Sequence, residues 1–219
     1  LNGIEADLIF IKNIDNVAPD RLKGDTTASK KLLGGMAITL TQKRNELLAA
    51  GDLDATTTFI RTYFDPQFSG SLEDAHKLLD RPLRICGMVR NTGEPGGGPY
   101  WVKIGGRVTC QIIEKAQIDL DDPVQRDILS NSTHFNPVDL VCSVTSPQGA
   151  KYDLLDYVDH ESSFISEKSF EGQSVKALEL PGLWNGAMAF WNTVFVEVPI
   201  STFSPVKTVN DLLRPEHQA

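Results

Sequence analysis

Apolar residues enter the chain in a burst. Ala6-Asp7-Leu8-Ile9-Phe10-Ile11 has a single polar interruption, a pattern that suits a buried strand. It predicts a first strand over about 7–12, ending in the polar cluster Asn13-Ile14-Asp15-Asn16. The period then changes. Across residues 27–50, Leu32, Leu33, Met36, Ile38, Leu40, Leu47 and Leu48 recur at spacings that predict an amphipathic helix. Shorter helices are predicted at 54–64 and 71–79, the second opening with the capping sequence Ser71-Leu72-Glu73-Asp74. From residue 82 the runs shorten to strand length: Leu83–Val89, Tyr100–Ile104, Val108–Ile113, Val138–Val144 and Val194–Val198. Gly105-Gly106 reads as a hairpin turn, and Gly-Glu-Pro-Gly-Gly-Gly-Pro over 93–99 is the strongest loop signal. A helix is predicted at 119–130 and a short terminal one near 208–213.

This mixture predicts an α/β layered domain with a mixed sheet, in which polar residues past the carboxyl ends of strands are the first candidates for a site. The chain opens with Leu1 and enters its apolar burst within five residues, which predicts that 1–219 is the carboxyl-side part of a single domain, with 27–80 as a helical insertion. Composition adds limits. With 219 residues, 41% hydrophobic and 23% charged, the chain has material for one substantial core. A net charge of −8 repels polyanions and argues against a non-specific nucleic-acid or anionic-membrane binder. Apolar stretches reach only about eight residues, where a bilayer span needs roughly 20. Cys86, Cys110 and Cys142 lie in apolar runs without zinc-site spacing, which reads as buried thiols in a reducing cytoplasm.

The chain holds no Walker loop, no Gly-x-Gly-x-x-Gly, no Gly-x-Ser-x-Gly and no His-Glu-x-x-His. Chemistry is therefore sought in four clusters. Asn13-Ile14-Asp15-Asn16 sets a carboxylate between amides at a strand end, suited to Mg2+ or sugar hydroxyls, and equally an ordinary turn. Gly93-Glu94-Pro95-Gly96-Gly97-Gly98 lets backbone approach a ligand closely, and equally forms a hairpin tip. Glu114-Lys115-Ala116-Gln117 and Phe135-Asn136-Pro137 flank strands and can read hydroxyls; a surface ion pair and a turn are the plainer readings. Finally, Glu179 through Met188, including Asn185, precedes Val198 through Lys207, where prolines stiffen a strand exit so that the Lys207 ammonium can clamp phosphate. Taken alone, Lys207 is a surface lysine. His76, His134, His160 and His217 lack metal-ligand spacing, and Trp184 and Trp191 read as packing residues.

The order of these clusters resembles the UDP-sugar pyrophosphorylases. Their Asn-x-Asp-Asn strand end is matched by Asn13 to Asn16. Their Lys-Gly-Gly loop and Leu-Glu-x-x-Gln strand end are similar to Gly96-Gly97-Gly98 and Ile113-Glu114-Lys115-Ala116-Gln117. A Phe-Asn element is similar to Phe135-Asn136, and a Glu-Thr-Ala-x-Gly-Ala-Ala segment is loosely similar to Glu179 through Met188. Val-Pro-Arg-Ser-Arg-Phe-x-Pro-Val-Lys-x-x-x-Asp-Leu-Leu resembles Val198 to Leu213 closely. The chain also resembles an uncharacterised bacterial group, domain of unknown function 4301, itself similar to a branch of that superfamily.

The resemblance implies a Rossmann-related, glycosyltransferase-A-like nucleotidyltransferase fold, incomplete at its amino terminus. It implies transfer of a nucleotidyl group from a nucleoside triphosphate to a sugar 1-phosphate, releasing pyrophosphate, with Mg2+ as cofactor. Under it Asp15 binds metal or sugar with Asn13 and Asn16 in support, Gly97 and Asn136 contact the sugar, and Glu114 reads hydroxyls. Gly96, Glu179 and Asn185 join them as substrate-binding positions, and Lys207 neutralises phosphate charge. Ile200-Ser201-Thr202 stands where that family has Arg-Ser-Arg, so either other basic groups replace two charges or turnover is weak. A non-catalytic sugar-nucleotide binding or regulatory module is the alternative. The family's Gly-rich nucleotide loop and Gly-His-Gly element would lie before Leu1.

Overall fold

The computed structural model describes residues 1–16, 18–91, 97–104, 106–137, 139–183 and 185–218. The opening burst becomes β1 (Ile9–Lys12), followed by three helices, α1 (Lys23–Ala50), α2 (Leu53–Tyr63) and α3 (Leu72–Leu79). Then come β2 (Leu83–Arg90), β3 (Gly98–Ile104), β4 (Arg107–Ile113), α4 (Pro123–Ser130), β5 (His134–Phe135) and β6 (Asp139–Ser143). A hairpin of β7 (Phe164–Phe170) and β8 (Gln173–Glu179) precedes β9 (Asn192–Glu197).

The fold is a mixed α/β arrangement about one mixed sheet. β2 pairs antiparallel with β6 and parallel with β9, and β6 pairs antiparallel with β1. Strands β1, β2 and β9 therefore run the same way, and their carboxyl ends share one edge of the sheet. β5 and β6 both run antiparallel to β2, but the register shifts by two residues across the break between them. Such a bulge re-aims the side chain that follows it, here Asp139.

The sheet is covered on both faces, which is why β2 reads as a nearly unbroken apolar run. One face packs Leu83, Ile85, Val89 and Val141 against Leu33, Ala37, Leu40 and Leu47 of α1 and against α2 and α3. The buried leucines of α1 each contribute about 1.5–3 kcal/mol of transfer free energy. Leu32 and Ile38, expected in the apolar stripe, are exposed instead. Adjacent residues point about 100° apart on a helix, so Leu32 cannot share a face with Leu33. The buried stripe is Ser29, Leu33, Ala37, Leu40, Arg44 and Leu47. α1 ends at Gly51, whose φ of 66° gives the left-handed turn that Gly favours. α3 begins in a capping box: the Asp74 N–H donates to Ser71 Oγ at 3.2 Å, and the Ser71 N–H to Asp74 Oδ2 at 3.0 Å.

The other face packs Ile9, Cys86, Leu140 and Cys142 against Ile112, Met188 and Trp191. The β3–β4 hairpin crosses this side, closing at the pair Ile104 and Arg107; Gly105 lies outside the described residues. It is clasped to the sheet by buried Arg84, which donates from Nε to Thr193 Oγ1 at 2.9 Å and from Nη2 to Gln111 Oε1. Cys86, Cys110 and Cys142 are free thiols, and burial pushes them up to about 11, 12 and 12. No helix among the described residues is long and apolar enough to cross a membrane.

Candidate functional site

The carboxyl end of β1 leads into the Asn13–Asn16 turn, and the segment after β9 returns to it. The Val206 N–H donates to the Asp15 carbonyl at 2.7 Å. Buried Asn16 locks the two together: its Nδ2 donates to Thr202 O at 3.1 Å, and the Ser204 N–H donates to its Oδ1 at 2.8 Å. The segments that carry Asp15 and Lys207 are thus held together by a backbone tie and an amide clasp. The Asp15 carboxylate and the Lys207 ammonium make no hydrogen bond or ion pair among the described residues. Asn13 contributes its carbonyl, which accepts the Asn16 N–H at 3.3 Å.

Glu114 reaches the same place from the end of β4. Burial raises its carboxyl above the ordinary glutamate value, and the nearby charge of Lys207 pulls it partly back. Its N–H donates to Gln117 Oε1 at 2.9 Å, which holds the strand end. Gly97 is packed against it: a Cβ there would meet Glu114 Oε1 at 3.1 Å and Ile112 Cγ2 at 3.0 Å. Asn136 sits in the break between β5 and β6. Its N–H donates to Gly97 O at 3.0 Å and its Nδ2 to Gly87 O at 2.7 Å. Asn16 and Asn136, both expected to contact substrate, thus direct amide groups to the backbone of neighbouring segments.

A cationic group that the motifs did not point to lies on the α1 side of this edge. Lys12 and Asp139 face each other across β1 and β6. Asp139 is 2% exposed, and Lys30 of α1 places its Nζ 2.9 Å from Oδ1 at an angle outside hydrogen-bond geometry. Gly87 on β2 makes room, since a Cβ there would come within 3.3 Å of Asp139 Cβ. Burial lowers the Lys12 ammonium; Asp139 raises it in part, and Lys30 and Lys23 lower it further. Lys12 makes no hydrogen bond or ion pair among the described residues. Lys30 is therefore paired with the buried Asp139 carboxylate, and Lys12 lies within reach of its field without pairing to it. Lys12 and Asp139 carried a signal, a lone charge at the end of an apolar run; Lys30, beside Lys31 in a helix, carried none.

Other predicted positions bond within their own segments. Glu179, at the end of β8, accepts from Ser166 Oγ at 2.7 Å and pairs with Lys168, all within its own hairpin. Asn185 donates to Ser162 O and Leu180 O, each at 3.3 Å, and so shapes its own turn. Gly93 to Gly96 and Trp184 lie outside the described residues. No group of three or more His, Cys, Asp or Glu side chains placed to hold a metal occurs among the described residues.

The family model described as Domain of unknown function (DUF4301) matches residues 1–218. The chain belongs to this family. No curated protein matches it. Among solved structures, the DUF4301 chain is similar to UDP-glucose phosphorylase from Trypanosoma brucei, at 18% identity and a TM-score of 0.43 over 79% of this chain and 39% of that one. It is also similar to a mutant UDP-glucose pyrophosphorylase from Leishmania major in complex with UDP-Glc, at 18% identity and a TM-score of 0.41 over 76% of this chain and 39% of that one. The DUF4301 chain thus spans about two-fifths of the length of these proteins.

Proposed function

We propose that the protein containing this chain is a sugar-1-phosphate nucleotidyltransferase, built on a Rossmann-related, glycosyltransferase-A-like sheet, that forms a nucleotide sugar and pyrophosphate. The observation that carries the reading is the tie between the Asn13–Asn16 turn and the Val198–Lys207 segment. It joins the segment that carries Asp15 to the segment that carries Lys207 at the carboxyl ends of the parallel strands, where the Lys207 charge also acts on Glu114. These are also the two segments whose sequences most resemble the UDP-sugar pyrophosphorylases.

In such a transfer a phosphate oxygen of the sugar 1-phosphate bonds to the α-phosphorus of the nucleoside triphosphate. The α–β phosphoanhydride bond breaks, and its electron pair leaves with pyrophosphate. Catalysis is positioning and charge neutralisation. Lys207 neutralises phosphoryl oxygens, and Glu114, whose carboxyl burial raises above the ordinary glutamate value, exchanges hydrogen bonds with sugar hydroxyls. Lys12 and Lys30 supply the positive field that Ile200 and Thr202 do not; Thr202 is buried, and its hydroxyl donates to Pro199 O at 2.8 Å. Mg2+ commonly takes only one or two protein carboxylates, with phosphates and water completing its shell. Asp15 fits that role, where the ion would add further charge neutralisation.

The test is pyrophosphate release by the full-length protein across a panel of nucleoside triphosphates and sugar 1-phosphates with Mg2+. Lys207→Ala is expected to lower kcat by about 10²–10³, the scale of removing a preorganised charge-stabilising group. Turnover undiminished in Lys207→Ala overturns the role given to that residue. The uncharged Ile200 and Thr202 favour a second reading, a non-catalytic sugar-nucleotide binding module. Calorimetric binding of a nucleotide sugar without turnover on any substrate pair selects it.

A further inference from the structure

At the opposite end of the central strands, where β2, β4 and β9 begin, lies a cleft that the candidate site does not use. An outer cavity of about 470 Å³ adjoins an inner recess of about 30 Å³, and Asp65, Arg81, Arg107 and Val108 line both. Arg81 stands just before β2, and Arg107 opens β4. Neither guanidinium pairs with a carboxylate among the described residues. Arg81 donates only to carbonyls, from Nε to Lys77 O at 3.2 Å and from Nη1 to Phe190 O at 3.5 Å. Arg107 makes no hydrogen bond or ion pair among the described residues. Burial pushes Arg81 down to about 10, and the like charge of Arg107 adds to the effect.

The other charges around the cleft have partners. Asp74 closes the cap of α3, and Lys77 pairs with Glu73 at 2.6 Å. Asp65 accepts the Gln67 N–H at 3.0 Å and, like Asp74, lines the cleft without an ion pair to either guanidinium among the described residues. Trp191, 3% exposed, lines the recess, and its indole N–H has no partner.

Two like charges held together in a partly desolvated cleft repel each other, and a dianion relieves that repulsion. Guanidinium forks match phosphoryl oxygens, and the indole N–H offers a further donor. A recess of this size admits one water-sized group, while the outer cavity falls within the range of small-molecule sites. We propose that Arg81 and Arg107 clamp a phosphoryl dianion, either free phosphate or the head of a phosphomonoester whose remainder occupies the outer cavity. The site is separate from Lys207 and does not rest on the nucleotidyltransferase reading.

The test is titration calorimetry on the full-length protein carrying Lys207→Ala, so that the candidate active site contributes least, with inorganic phosphate and with phenyl phosphate. Binding is expected, and adding Arg107→Gln, which removes no internal hydrogen bond, weakens it at least tenfold. Arg81→Lys keeps the charge, loses the fork and weakens binding by a smaller factor. Equal affinity for the two probes identifies the free ion as occupant; tighter phenyl phosphate identifies a phosphomonoester. No binding in the Lys207→Ala background, or binding indifferent to Arg107→Gln, overturns the proposal. Pyrophosphate release by the wild-type protein is read independently of either outcome.

Discussion

Replacing Asn16 with alanine isolates what holds the candidate site together. Asn16 is 3% exposed and spans two segments far apart in sequence, through bonds of 3.1 Å to Thr202 O and 2.8 Å from Ser204 N–H. Truncation leaves that carbonyl and that N–H unpaired in a site too enclosed for ready solvation, at about 1–3 kcal/mol each. The expected loss is about 2–6 kcal/mol of folding stability. With a urea dependence of about 2 kcal/mol per molar, the midpoint falls by about 1–3 M at unchanged slope. Asn16→Asp separates the two bonds: it keeps an acceptor for Ser204 but sets a carboxylate oxygen against the Thr202 carbonyl. Because the clasp positions Lys207, the activity losses of Asn16→Ala and Lys207→Ala should combine to less than their sum in free energy. A midpoint shift below about 0.3 M, on the same slope scale, would refute the clasp as a determinant of the fold.

Two further predictions concern the charges at this edge. Lys30→Met deprives the buried Asp139 carboxylate of its ion-pair partner and should cost about 3 kcal/mol in thermal unfolding, most of it restored in the double variant with Asp139→Asn; a loss below about 1 kcal/mol contradicts the pairing. For Glu114, the folded protein holds the carboxyl proton more tightly than the unfolded chain, so stability falls as pH rises from the ordinary value of about 4.3 to the raised folded value. Glu114→Gln does not titrate, so its melting temperature relative to wild type should climb across that window and then level off; a difference independent of pH rules out the burial penalty.

Much of the fold was legible because burial imposes a period. The unbroken apolar run of β2 marked a strand covered on both faces, and Ser71 with Asp74 marked the start of α3. The faces of α1 were less legible, since apolar content alone does not separate exposed Leu32 from buried Leu33. β7 and β8 left no periodic trace because Ile165, Phe170 and Leu178 are exposed and nothing on that hairpin must alternate. Its turn runs through Glu171 and Gly172, both at positive φ, where an Asn-Gly pair would have announced a hairpin. In the site, the order of motifs pointed to the Asn13–Asn16 turn and the Val198–Lys207 segment, which the fold ties together. The backbone bonds of Asn16 and Asn136 left no trace in the sequence, because an amide suits a distant carbonyl as well as a hydroxyl and only the tertiary structure shows which carbonyl it meets.

Strand β4 joins the two ends of the molecule. Arg107 is its first residue, Glu114 follows its last, and Gln111 between them is held by Arg84 and donates to Ala189 O at 3.2 Å. Seven residues of strand cover about 23 Å. The hairpin is thus a short beam pinned at Gln111, with unequal arms reaching to Arg107 and to Glu114. The proposed phosphoryl clamp and the candidate site therefore draw residues from opposite ends of one strand.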